Sequence, residues 1–197
     1  MKVLNLYSGL GGNRKHWKNV EVTAVENNPS IAKYYQDQFP NDTVIIADAH
    51  QYLLENYKNF DFIWSSINCP THSRIRYGLG VLTGQVPAVY PDFKLYEEIV
   101  FLQKHFDGHW VVENVIPYYK PLIEPTVKIG RHLFWSNFSI TPVKIDTVKI
   151  KRATLKELQD YHGFDLSGYR LSIDKTKALR NCVCPKIGQY IFNQLKG

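Results

Sequence analysis

The chain has 197 residues, 44% hydrophobic and 14% aromatic, with a formal net charge of +6. That supports one good core but not two large ones, so a single domain over 1–197 is expected, and an intrinsically disordered protein is excluded. No apolar run approaches the roughly 20 residues that span a bilayer, so no membrane role is expected. Three cysteines, an odd number, fit a reducing compartment rather than a disulfide framework. The N-terminus runs straight into strand and turn rather than a leader. The expected location is therefore cytoplasmic, bacterial or, for a virus-encoded protein, that of the host. The positive charge points to an anionic partner, nucleic acid first.

The first element, KVLNLY (2–7), reads as a buried strand, followed at once by the turn Ser8-Gly9-Leu10-Gly11-Gly12. VEVTAVE (20–26) is a second strand, PSIAKYYQDQF (29–39) a helix and TVIIAD (43–48) a third strand. A helix over 50–60 leads to the strand FDFIWSS (60–66), and a helix over 91–106 leads to the strand HWVVEN (109–114). In that last helix Phe93, Tyr96, Val100 and Phe101 are read as an apolar stripe backed by charge, with its aromatic residues in the core. Strand–helix alternation implies a mainly parallel sheet covered by helices on both faces, with ligands beyond the carboxyl ends of the strands.

After residue 115 prolines punctuate the chain, and one or two antiparallel strands are expected. TLKELQDYHGF (154–164) opens with Thr154 as N-cap and Glu157 completing a capping box. A last helix is expected over Pro185 to Leu195.

The strand ends carry the chemistry. Glycines after the first strand let the backbone turn tightly and approach a ligand. Glu26, ending the second strand, can accept both hydrogen bonds of a ribose diol, and Asp48, ending the third, a bond from an adenine amine. Together these describe an adenosyl pocket; the competing reading makes both acids helix caps. A dinucleotide oxidoreductase is disfavoured, because Gly9-Leu10-Gly11-Gly12 does not fit G-x-G-x-x-G and no third glycine follows at the needed spacing. Cys69 lies where the fourth strand stops, before Pro70, His72, Ser73 and two arginines, and is open to three readings: buried filler, metal ligand or nucleophile. Cys182-x-Cys184 lacks the second ligand pair that structural zinc requires, so packing is expected there and no metal.

In order along the chain, LNLYSGLGG, VENNP, IADAH, SSINCPTHSR, Glu113-Asn114-Val115, IGRHLFWSNF, KRATLKELQDYHGF and LRNCVCPKIGQYIFNQL resemble the motifs of the DNA (cytosine-5) methyltransferases. The resemblance implies a Rossmann-like α/β methyltransferase fold with S-adenosylmethionine as cofactor. It implies a cofactor pocket of Tyr7, Ser8, Gly9, Leu10, Gly11, Gly12, Glu26, Asn27, Asp48, Ala49, Asn181 and Val183. Cys69 becomes a nucleophile toward carbon 6 of cytosine, activated by an electropositive turn and its site partners. Glu113 becomes the acid at ring nitrogen 3, which requires that it keep a proton near neutral pH. Arg131 and His132 would hold the base or its phosphate.

This sequence departs from the family pattern at several points. Gly130-Arg131-His132 stands for arginine-x-arginine, Ile67-Asn68 for two prolines, and Arg180 for a glycine. The family's target-recognition domain is absent or reduced to about 136–150. Lys149, Lys151 and Arg152 are either phosphate contacts or solvated surface charge. Ser73, Arg74, Arg76 and Asn114 are further nucleic-acid candidates, with His72 and Ser73 alternatively loop hydrogen-bonders. The long segment 71–93 can close over a cytosine flipped out of double-stranded DNA. A short or relaxed site, or a protein partner that reads sequence, follows from so small a chain. An RNA cytosine methyltransferase and a non-catalytic nucleic-acid binder are the alternatives, and Cys69 with Glu113 speaks against the second.

Overall fold

A computed structural model describes residues 1–67, 69–145 and 152–196. Asn68, Lys149 and Lys151 lie outside the described residues. One seven-stranded sheet has the order β3-β2-β1-β4-β5-β7-β6. The strands are β1 (Lys2–Leu6), β2 (Glu21–Val25), β3 (Thr43–Ile45), β4 (Phe62–Ser66), β5 (His109–Val115), β6 (Val127–Ile129) and β7 (His132–Ser136). The first five are parallel; β7 runs antiparallel to β5 and β6 antiparallel to β7, as expected after residue 115. The order reverses between β1 and β4, so a crevice opens beyond their carboxyl ends.

Alternation along the strands divides the core. Leu4, Leu6, Ile63 and Val112 face α2 (Ala49–Asn56) and α4 (Lys94–His105), while Val3, Phe62, Trp64, Val111 and Phe134 face α7 (Pro185–Asn193). A third cluster joins Leu10 to α1 (Pro29–Gln38), α5 (Leu155–His162) and α6 (Lys175–Asn181), through Ile31, Tyr34, Leu158, Phe164 and Leu179.

The connection from β1 to β2 is a series of turns rather than a helix. Its layer is supplied by α7: Trp17 stacks on Phe192 with ring centroids 5.1 Å apart, and its indole N–H donates to Gly188 O at 3.2 Å. A side chain at 188 would meet the Asn13 backbone at 2.4 Å, so glycine is required for that approach.

The apolar stripe of α4 is corrected. Its buried face is Leu95, Tyr96, Glu98, Ile99 and Leu102, whereas Phe93 and Val100 are about half exposed. The error came from Glu98, a fully buried acid that breaks the hydrophobic period. Its carboxylate accepts from Tyr7 Oη at 2.7 Å and Ser65 Oγ at 2.6 Å and lies 3.1 Å from His50 Nδ1. The capping box of α5 is present: Thr154 Oγ accepts from Glu157 N–H at 3.2 Å and Glu157 Oε2 from Thr154 N–H at 2.7 Å.

Candidate active site

The crevice holds a cavity of about 370 Å³, a size that suits a nucleoside-scale ligand. Tyr7, Ser8, Gly9, Leu10 and Gly12 line it from the turn after β1, Glu26 and Asn27 from the end of β2, and Asn181 and Val183 from the C-terminal segment. Ser66, Cys69 and Pro70 enter from β4, Glu113 from β5 and His132 from β7. One cleft thus joins the expected cofactor residues to the expected nucleophile and acid.

The turn after β1 is pinned by its own neighbourhood. Ser8 N–H donates to Val25 O at 3.0 Å, and Gly9 N–H to Glu26 Oε2 at 3.0 Å. Asn28 N–H donates to Glu26 Oε1 at 2.9 Å. Burial pushes the Glu26 carboxyl above its usual range, and these backbone donors pull it back. Tyr7 takes a left-handed φ of 52°, uncommon for a bulky residue, and its hydroxyl is tied to Glu98. A side chain at 12 would meet Val183 O at 2.1 Å, so glycine lets the C-terminal segment close the cleft.

The residues fit an adenosyl cofactor. Ser8 Oγ is buried without a protein partner, and Glu26 presents a mostly buried carboxylate at a strand end, where a diol needs an acceptor. Two expected pocket residues stand elsewhere. Gly11 packs behind the turn against Tyr35 and Phe39, and Ala49 is buried in the first turn of α2; neither lines the cleft. Asp48 reaches the rim, but its carboxylate caps α2 by accepting from Gln51 N–H at 3.0 Å and lies 3.4 Å from Lys94 Nζ. Helix capping is what the structure gives this acid.

The electropositive turn expected around Cys69 is corrected. Burial, and then the Glu113 carboxylate, push the thiol up to about 11, with Arg131 opposing. Glu113 is raised to about 7, chiefly by burial; Arg131 and a hydrogen bond from Ser66 hold it back. Ser66 Oγ in turn accepts from the Trp64 indole N–H at 2.8 Å. A carboxyl that keeps much of its proton at neutral pH is what an acid toward a ring nitrogen requires.

The loop that carries Cys69 hangs from His72, which is fully buried. The Cys69 carbonyl accepts from the backbone N–H groups of His72 and Ser73, both at 3.1 Å. His72 Nε2 faces Asp92 O at 3.1 Å, so it carries the hydrogen, and Nδ1 accepts from Tyr119 Oη at 2.6 Å. Burial holds this ring neutral. Asn114, expected as a nucleic-acid contact, is buried: its Nδ2 donates to Ile67 O at 3.1 Å and its Oδ1 accepts from Val115 N–H at 2.8 Å. Ser73 caps the short helix Arg74–Arg76. Arg74 is exposed, Arg76 donates to Pro87 O at 2.9 Å, and Arg152 is exposed.

Arg131 does not line the main cleft; its guanidinium donates to Arg180 O at 2.5 Å and so ties β7 to the C-terminal segment. His132 does line it, with Nε2 3.5 Å from Glu113 Oε1. Sequence reasoning missed Ser66, Ile31, Asn13, Lys94 and Lys177 as lining residues. Ser66 ends β4 and Asn13 lies in the turn after β1, where the strand-end rule could have found both; Ile31, Lys94 and Lys177 come from helices that no motif marked. Cys182 and Cys184 are buried, and no group of three or more metal-ligating side chains occurs among the described residues.

Residues 1–115 match the family model for C-5 cytosine-specific DNA methylase. The chain belongs to that family. Among solved structures, the chain is 26% identical to the Spodoptera frugiperda DNMT2 E260A/E261A/K263A mutant, with TM-score 0.39. The match covers 58% of this chain and 35% of that one, so the chain spans about a third of that protein's length. The Entamoeba histolytica methyltransferase EhMeth matches over 100% of this chain and 99% of its own, at 12% identity and TM-score 0.54, a likeness of fold. No curated protein matches the chain. The expected α/β methyltransferase fold stands, and S-adenosylmethionine is the cofactor of the family. No described helix is long and apolar enough to cross a membrane.

Proposed function

We propose that the protein is a DNA (cytosine-5-)-methyltransferase acting through a covalent Cys69 adduct, with all of its chemistry in one domain. The observation that carries this is the meeting of Cys69 and Glu113 in the cleft that Ser8, Gly12 and Glu26 also line. S-adenosylmethionine, held by the turn 8–12, Glu26, Asn27, Asn181 and Val183, supplies an electrophilic methyl group.

The protein's own residues must make carbon 5 of cytosine a nucleophile. Cys69 adds as thiolate to carbon 6, and Glu113 places a proton on ring nitrogen 3, so the electron pair released into the ring is not stranded as full negative charge. The Cys69 thiol proton is lost to Glu113 in the same exchange, since acid plus thiolate and carboxylate plus thiol hold the same number of protons. After transfer the carbon 5 hydrogen leaves, Glu113 recovers its proton and the thiolate departs. A general base for that hydrogen is not assigned.

Exposed Arg74 and the net positive charge support a polyanionic substrate, and residues 71–93 are the candidate reader of sequence, given so short a span between β7 and α5. The test is duplex DNA with 5-fluorocytosine in place of cytosine, incubated with protein and S-adenosylmethionine. Fluorine blocks the final elimination, so a denaturation-resistant complex lost in Cys69→Ser is the expected result. Trapping on fluorinated RNA but not DNA overturns the substrate; no trapping on either, despite cofactor binding, overturns the mechanism.

A further inference from the structure

Behind the main cleft, beyond His132, lies a second and much smaller chamber of about 10 Å³, the space of one water molecule. Arg131, His132, Tyr161, His162, Cys182 and Cys184 line it. His132 alone among the groups near Glu113 faces both spaces with a ring that can carry a proton through. Its Nε2 lies 3.5 Å from Glu113 Oε1, one small side-chain adjustment from a hydrogen bond. Its Nδ1 is buried without a protein partner, the situation in which an ordered water is expected.

We infer that His132 is a proton relay for Glu113, joining the carboxyl to a water held in this chamber. The role rests on the proposed role of Glu113 as the acid at ring nitrogen 3. The step balances on a neutral imidazole. With Glu113 ionised, Nε2–H points at Oε1 and the Nδ1 lone pair faces the chamber. A proton from the chamber water forms the Nδ1–H bond while the Nε2–H bond breaks and an O–H bond forms on Glu113. The ring ends as its other neutral tautomer, and the water recovers its proton from solvent along half-buried Arg131.

Once nucleic acid covers the main cleft, this route lets Glu113 exchange its proton without opening the site. The charged and titratable groups facing Glu113 are Cys69, Arg131 and His132, with Ser66 as donor; those facing His132 are Glu113, Arg131 and His162. Burial, with Arg131 and His162, disfavours an imidazolium at 132, which suits a relay that passes a proton without storing one. His132 acts through Glu113 and is in that sense a positioning residue.

The experiment is ¹⁵N NMR of the histidine rings in the full chain across the titration of Glu113, followed in parallel by its side-chain ¹³C signal. The expected result is a swap of His132 between Nδ1–H and Nε2–H forms with the same midpoint as Glu113, no imidazolium, and no swap in Glu113→Gln. A ring that stays in one tautomer, or that becomes charged as Glu113 titrates, overturns the relay. In single-turnover methylation, His132→Gln should slow transfer about 10-fold while S-adenosylhomocysteine still binds; an unchanged rate overturns the role in turnover. A protein that swaps tautomers but methylates nothing refutes the proposed function alone. One that methylates without the swap refutes the relay alone.

Discussion

The turn after β1 and the loop after β4 sit side by side at the switch point of the sheet, and they are held by different means. The turn is fixed through its backbone: the Gly9 and Asn28 N–H groups donate to Glu26, and Ser8 N–H donates to β2. The loop is fixed through a buried side chain, the His72 ring, to Asp92 O and to the Tyr119 hydroxyl. Beyond it the chain from Leu82 to Tyr90 is exposed, with Tyr90 at 92%. A site that binds a constant cofactor can be built from backbone groups. A site that must admit a strand of nucleic acid and then close on one base needs a loop hinged on a buried side chain, with its outer face left for the substrate.

If that division is right, each half fails separately. Cys69→Ala should abolish methyl transfer, by about 10⁴-fold or more, while S-adenosylhomocysteine still raises the melting temperature as in the parent protein. Loss of that thermal shift in Cys69→Ala breaks the division.

The proton inventory sharpens the nucleophile half. With Glu113 at about 7 and Cys69 at about 11, the productive acid–thiolate pair is one arrangement of a singly protonated pair. The population of that pair is level between the two values. Below about 7 both groups hold protons, and kcat/KM should fall about tenfold per pH unit. A kcat/KM that instead declines as pH rises from 7 to 9 shows that the thiol does not depend on Glu113 in this way. Glu113→Gln should lose the acid limb near 7 together with about 10²-fold in rate.

Smaller effects separate the two carboxylates. Glu26→Ala should weaken S-adenosylhomocysteine about 10- to 100-fold, the cost of a buried charge-assisted bond, with trapping restored at saturating cofactor. Asp48→Asn should change cofactor affinity about twofold or less, because asparagine also caps a helix. A tenfold loss in Asp48→Asn reinstates the adenine contact.

These two acids show what a sequence discloses. Both end a strand in a methyltransferase-like order, so both looked like cofactor ligands. Only the fold tells which carboxylate is turned into the crevice and which is spent on the first turn of α2. The strands were legible because their alternation and terminal glycines are local signals. Glu98 was not, since a buried acid is explained only by Tyr7, Ser65 and His50, each far away along the chain. Helix α6 was missed for a similar reason: of its residues Lys175–Asn181 only Ala178 and Leu179 are buried, too few to set a period. Gly130-Arg131-His132 could be read as a departure, but not that its arginine reaches back to Arg180 while its histidine fronts Glu113.

The exchange of a β1–β2 crossover helix for α7 has a consequence for how the protein is made. Trp17 and Gly188, whose bond seals that face, are 171 residues apart. During synthesis the first strands leave the ribosome long before the helix that covers them, and Trp17, Phe62 and Trp64 wait uncovered. The same late segment brings Asn181 and Val183 to the cleft. Competence to hold the cofactor is therefore acquired only once Asn181, Val183 and α7 have been made, and a chain halted before Pro185 would present an apolar surface to chaperones and proteases.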